Sequence, residues 1–422
     1  MTRVIHTGDT HLGYQQYHRP ERRQDFLAAF QRVAEDAVDD DVDAVVHAGD
    51  LFHDRRPTLP DIMGALSVLR NLDDAGVPFL AIVGNHESKR DAQWLDLFES
   101  LGLATRLGAD PVTIGNTAFY GLDFVPRSKR DELEYDFTDH DAEAAALVSH
   151  GLFEPFPHGD WDGREILAEA NVTFDALLLG DDHTPQTKHV EEPHEAWLTY
   201  CGSTERASAS ERDDRGYNLV SFDDGVDIRR RGIDTREFIF VDVELRDGEG
   251  VERVREQVGQ YDVEDAVVIV SIEGDGDPVA PATIEEYADE QGALIARVTD
   301  HRELTEETET DVSFADPDEA VRERIRDLGL SDAARDLDET IRASKVADAN
   351  VADTVEDRVA DLVSDAEPDV FAPADDGEAA DEDDAAERAE ADGGPTEREG
   401  EEDGTAADTD DGDGQVTMGD YT

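Results

Sequence analysis

Apolar residues fall into two rhythms over the first ~235 positions of the chain. Short unbroken runs recur at Val4-Ile5, Val45-Val46, Phe79-Leu80-Ala81-Ile82-Val83, Ala146-Leu147-Val148 and Ala176-Leu177-Leu178-Leu179. Runs of this length and composition predict strands buried on both faces. Between them lie stripes at helical spacing: Phe26, Phe30, Val33 and Ala37; then Ile62, Leu66 and Leu69; then Trp94, Leu95, Phe98 and Leu101. Alternation of the two rhythms predicts an α/β layered domain over residues 1–235.

From 236 to 300 the pattern predicts a small α+β module with its own core. It has strands at Phe238–Leu245, Val267–Ile272 and Leu294–Val298, and helices around Val254 and Ile284. Residues 301–364 read as three short amphipathic helices. Asp316-Pro317 starts the first and Gly329 stops it, and its stripe is Val321, Ile325 and Leu328. Ala334, Leu337 and Ile341 mark the second, and Val351, Val355 and Val359 the third. Nothing in the neighbouring sequence offers these stripes a core, so a partner's groove or coiled coil is the expected cover. Residues 365–422 are Asp, Glu, Ala and Gly with only Arg388 and Arg398 as basic residues, a composition that cannot bury enough to fold.

Charge narrows the setting more than the substrate. The 422 residues carry 106 acidic and 37 basic side chains, a formal net charge of -69, with lysine only at 89, 129, 188 and 345. The surplus runs through every segment, which fits a solvated surface in concentrated salt, where self-repulsion is screened. A single cysteine, Cys201, excludes an intrachain disulfide and fits a reducing cytoplasm. No apolar run approaches the ~18 residues of a membrane span, and the start of the chain lacks the pattern of a signal peptide.

The ends of the buried runs carry the chemistry. Asp9-Thr10-His11, Gly49-Asp50 and Gly84-Asn85-His86-Glu87 follow the first three, and His150 and Gly180-Asp181-Asp182-His183 follow the later two. Carboxylate, amide and imidazole donors at strand ends suit two divalent cations ~3.5–4 Å apart that share one carboxylate, the usual machinery for phosphoester cleavage. On this spacing Asp9 and His11 serve one cation, Asn85 the other, and Asp50 bridges. His150 and His183 complete the two sets. His86, beside a ligand without being one, suits a general acid. His6 and His47 lie inside strands and read as buried structural residues.

These motifs together resemble the calcineurin-like metallophosphoesterase superfamily, a β-sandwich flanked by helices. Tyr200-Cys201-Gly202-Ser203-Thr204-Glu205-Arg206 and Arg215-Gly216-Tyr217 narrow the resemblance to the nuclease subunit of the double-strand-break repair nuclease–ATPase complexes, SbcD in bacteria and meiotic recombination eleven in archaea and eukaryotes. The similarity covers residues 1–235. It implies a manganese-dependent 3′→5′ exonuclease and single-strand endonuclease with two Mn²⁺ per chain. It also implies a homodimer bound to a coiled-coil ATPase of the SbcC type, and a DNA-capping role for 236–300. The first metal would take Asp9, His11, Asp50 and His183, and the second Asp50, Asn85, His150 and residue 181. His53 would contact the scissile phosphate or orient the nucleophile. The family has Gly-His-x-His where this chain has Gly180-Asp181-Asp182-His183, so a carboxylate stands where an imidazole is expected.

Arg55 and Arg56, next to His53, are the first candidates for DNA phosphate, followed by Arg19, Arg22 and Arg23 and by Arg127, Lys129 and Arg130. Surplus apolar residues at Leu59, Ile62, Met63, Leu66, Leu69, Trp94, Leu95 and Phe98 suggest the dimer surface. The terminal Gln415, Met418 and Tyr421 resemble a sliding-clamp-binding peptide on a tether. Two other readings use the same site: a small-molecule phosphodiesterase or phosphatase, and a mainly scaffolding DNA-end-binding subunit.

Overall fold

The structure is a computed structural model, and it describes residues 1–302 apart from 90, 91 and 131. The helical segment read at 301–364 lies outside the described residues from 303 onward, as do the acidic tail and the terminal clamp-like peptide.

Two six-stranded sheets form the first module. One runs in the order Val226–Gly232, Gly216–Phe222, Thr2–Thr7, Ala44–His47, Phe79–Ala81, Thr105–Arg106. The other runs Gln186–Val190, Ala196–Tyr200, Ala176–Gly180, Ala144–His150, Thr117–Leu122, Val112–Ile114. The unbroken runs are explained by burial on both faces. Val4, Val46 and Leu80 meet Val148 and Leu178 between the sheets. Ile5, Val45 and Phe79 face the helices Pro20–Asp39 and Leu59–Ala75 on the outside. The second sheet covers its outer face with Phe153, Trp161 and the helix Gly163–Glu169.

Within both sheets the central strands are parallel, Thr2–Thr7 with Ala44–His47 with Phe79–Ala81, and Ala144–His150 with Ala176–Gly180. Parallel strands deliver all their carboxyl ends to one rim, the place where such sheets hold ligands. Asp9, His47-Ala48-Gly49-Asp50 and Asn85 leave the first sheet there, and His150 and Asp181 leave the second.

The stretch 238–300 alternates strand, helix, strand, helix, strand: Phe238–Leu245, Val251–Val258, Val267–Gly274, Pro281–Glu290 and Ile295–Asp300. All three strands are parallel. Val254, Val258, Ile284 and Ala288 cover one face of this sheet. Phe238, Val267 and Ile295 on the other face pack with Tyr17 of the first module. Arg236 ties the two modules by donating to both oxygens of Asp25, at 2.6 and 2.9 Å. Among the described residues no helix is long and apolar enough to cross a membrane.

Candidate metal centre

The first-sheet half of the site is held by its own main chain. Asp9 N–H donates to Gly49 O at 3.0 Å, His11 N–H to Asp50 O at 3.0 Å, and Leu12 N–H to Leu51 O at 2.9 Å. This lacing forces left-handed backbone at Asp9, His11 and Asp50, with φ of 48°, 42° and 56°. Non-glycine residues adopt such φ values only where the surroundings over-determine them, a frequent mark of functional loops. Gly84 allows the third loop to come close, since a Cβ there would collide with the Asp50 carboxylate and main-chain nitrogen. The buried Glu87 carboxylate accepts from Phe52 N–H at 3.1 Å and Gly84 N–H at 3.4 Å, tying the second loop to the third.

The second-sheet half supplies imidazoles. His150 Nδ1–H donates to Ala48 O at 2.8 Å, so its Nε2 turns to the cleft, 2.9 Å from Asn85 Oδ1 and 3.5 Å from Asp50 Oδ2. His183 Nδ1–H donates to Glu211 Oε1 at 2.8 Å, which turns its Nε2 to within 3.0 Å of His11 Nε2. Asp181 sends its N–H to both oxygens of Asp9, at 3.1 and 3.2 Å, and its Oδ1 lies 3.7 Å from His150 Nε2.

Two donor groups, Asp9–His11–His183 and Asp9–Asp50–His150, share Asp9, and a third, His11–His53–His86, adjoins them at His11, with the ligand atoms of each group within 4.8 Å of one another. Two Nε2 atoms facing each other, both orienting Nδ1–H donors spent elsewhere on His150 and His183, and buried carboxylates between them suit divalent cations. Asp9 thus belongs to two groups, whereas spacing alone assigned it to one.

The electrostatics reflect how tightly these groups are packed. Burial would raise the Asp50 carboxyl, but His150, His86 and His11 outweigh it and hold the group well below the usual carboxylate range. Burial pushes Asp9 up to about 6. Burial lowers His183 in isolation, yet the hydrogen bond and charge of Glu211 win and raise it to about 9. His53 is lowered to about 3 by burial and by His86.

His86 sits at the mouth. Its N–H donates to Asp50 Oδ1 at 3.0 Å and its Nδ1–H to His53 O at 2.9 Å. His53 is buried and stacks on Tyr14 with ring centroids 3.9 Å apart, and its ring centroid is 5.1 Å from that of His86. All nine site residues named from the sequence thus meet at one rim. His6 and His47 are fully buried and lowered to about 3, chiefly by burial, in keeping with a structural place.

Other expectations are corrected. Arg22 is fully buried and spends its guanidinium on Asp25, Glu205 and Gln16, so it is no phosphate contact. Arg23 is paired with Asp61 and Arg130 with Asp160. Arg55 is half-buried with its carbonyl accepting from Trp94 Nε1–H, and Arg56 is exposed. Of the residues named for a dimer surface, Leu69, Leu95 and Phe98 are buried in the core, while Leu59 and Met63 are exposed.

Sequence reasoning missed Glu211. It also took Ser203, Glu205, Arg206 and Arg215 as signature residues without a role. Arg215 is buried and donates to Glu211 Oε2, Ser203 Oγ and the His183 carbonyl. A carboxylate 28 positions from its histidine leaves no local signal. A glutamate and an arginine four residues apart, next to a strand that follows the histidine, was the only hint.

Comparison with known proteins gives a consistent picture. Residues 2–185 match the calcineurin-like phosphoesterase family model. The chain is 66% identical over 361 residues to the DNA double-strand break repair protein Mre11 of Haloferax volcanii, covering 85% of this chain and 81% of that protein. Mre11 of Halobacterium salinarum is 58% identical over 365 residues, covering 85% and 94%. Mre11 of Methanosarcina acetivorans is 45% identical over 369 residues, covering 84% and 60%.

Proposed function

The chain belongs to the Mre11 family of DNA double-strand break repair proteins, and from that premise we propose a manganese-dependent nuclease that trims DNA ends as 3′→5′ exonuclease and single-strand endonuclease. It is a hydrolase of phosphodiester bonds that uses divalent metal. The observation that carries the proposal is the convergence of Asp9, His11 and His183 with Asp50 and His150 at one rim, His86 beside them. Asp9, His11, Asp50 and His183 would hold one Mn²⁺, and Asp50, Asn85, His150 and Asp181 the other. Bound there, the cations would polarise the scissile phosphate and lower the pKa of the attacking water.

The protein's own groups do the rest. Asp50 anchors His86 by its backbone, and the His53 carbonyl holds the His86 Nδ1–H, so the ring protonated at both nitrogens can hand its Nε2 proton to the leaving sugar oxygen and return to the neutral Nδ1–H form. Tyr14 packs His53 against this pair and keeps its ring from turning. Asp181 replaces the imidazole of the family pattern with another oxygen donor that manganese accepts.

The residues that follow the first module would cap the DNA, and the helices read at 301–364 would dock the coiled-coil ATPase. Loss of ATPase co-purification on deleting 316–363 tests the latter. Leu59 and Met63, with Leu97 and Leu101 on the helix Trp94–Ser100 and its end, are the exposed apolar residues for a homodimer. A monomeric mass by light scattering in high salt would remove that part.

The central test is Mn²⁺-dependent cleavage of DNA ends in concentrated KCl beside hydrolysis of a small nucleotide phosphodiester. DNA cleavage by the native protein and its loss in Asp50→Asn are expected. Cleavage of the small ester alone would favour a small-molecule phosphodiesterase, and metal binding without any cleavage a scaffold.

A further inference from the structure

His150 and His183 both commit Nδ1 to a hydrogen bond, but to unlike partners. For His150 the acceptor is the Ala48 carbonyl, which the sheet itself keeps in place. For His183 it is a side chain on a separate loop, Glu211. Glu211 is built in on every side. One carboxylate oxygen accepts from the imidazole, at 2.8 Å. The other accepts from Arg215 Nη1 at 3.0 Å, Ala207 N–H at 3.1 Å and Ser203 Oγ–H at 3.3 Å.

Arg215 also closes the circuit from the other end. Its Nη1 reaches the His183 carbonyl at 3.2 Å, and Ser203 N–H donates to the same carbonyl at 3.3 Å. Backbone and ring of His183 are therefore gripped by one unit, Arg215–Glu211–Ser203. The loop carrying it is further pinned by Arg206, whose guanidinium lies 5.3 Å from the centre of the Phe238 ring.

We infer that Glu211 is the positioning residue of the metal centre: its carboxylate fixes the His183 ring with Nε2 aimed at the cation site, and Arg215 fixes Glu211. This rests on the reading of His183 as a metal ligand. A carboxylate behind a ligating imidazole selects the tautomer and makes the ring a stronger donor, and loss of such a partner typically costs ~10–100-fold in metal affinity. Glu211 acts here through His183, which its carboxylate holds.

Calorimetric titration of Mn²⁺ into the full chain, with Mn²⁺ electron paramagnetic resonance as a second readout, tests it. The native protein should show two binding steps. Glu211→Gln should weaken one step by ~10–100-fold, leave the other unchanged, and lose the spin-coupled signal at limiting Mn²⁺. In the His183→Ala background the same substitution should have no further effect on metal binding. Melting temperatures in EDTA report folding separately. If Glu211→Gln does not fold, Glu211→Asp keeps the charge but falls short of the imidazole and should show the same selective weakening.

Two unchanged steps in Glu211→Gln would overturn the inference. So would an equal loss with and without His183. A native protein that binds no Mn²⁺ would instead overturn the metal reading on which it stands.

Discussion

The two halves of the cleft are assembled in different ways. On the first sheet, Asp9, His11 and Asp50 sit in loops laced to each other by main-chain hydrogen bonds, and Glu87 ties the third loop to the second from only two positions beyond Asn85. On the second sheet, His183 stands on a short turn, and a side chain 28 residues further on aims its ring. Main-chain lacing holds a ligand whatever the neighbouring side chains are. Side-chain aiming is adjustable, and also fragile, because one substitution elsewhere in the chain removes it. The first half should therefore tolerate changes that touch only chemistry, and the second should respond to pH and to ligand exchange.

The largest expected effect probes the first half. His86→Ser removes the proposed acid without touching the lacing, since its link to Asp50 is through backbone N–H. Cleavage should slow by ~10²–10⁴ while Mn²⁺ binding stays close to native. A fall in metal content comparable to that of Asn85→Ala would show that His86 is part of the cation site instead.

A second expectation probes the other half through pH. Without a cation, His183 titrates near 9, so at neutral pH its ring carries the proton that a metal must displace. Affinity at this step should rise with pH by up to about tenfold per unit and level off above about 9. Below about 6 the Asp9 carboxyl also takes up a proton, and affinity should fall more steeply. Calorimetry across this range checks it. A flat profile would separate His183 from the metal.

The smallest effect is expected at Asp181, whose side chain is 24% exposed at the cleft edge. Its main-chain N–H already holds Asp9, a bond that does not depend on the side chain's carboxylate. Asp181→His should remain active and shift its preferred metal, with a loss below the ~10-fold that removal of an orienting partner costs. Metal-dependent cleavage across Mn²⁺, Mg²⁺ and Co²⁺ measures it. Abolished activity would mean the carboxylate is indispensable here.

The sequence by itself determined the layered α/β domain, the separate core after residue 236, and the contiguous motifs of the cleft. Those features depend on neighbours within a few residues: a buried run makes a strand, and the strand's end delivers Asp9, Asp50 or Asn85 to a rim. Sequence also placed His86 beside Asn85 and kept His6 and His47 inside strands. Only the tertiary structure decided which side chains aim the ligands and which basic residues are spent. Glu211 reaches His183, and Glu205 takes up the buried Arg22, through contacts between elements far apart in the chain. Leu59 and Leu69 look alike along one helix, yet one is exposed and the other buried. Periodicity tells which residues share a helix face, but the burial of each depends on where the next layer ends. That boundary exists only once the chain has folded.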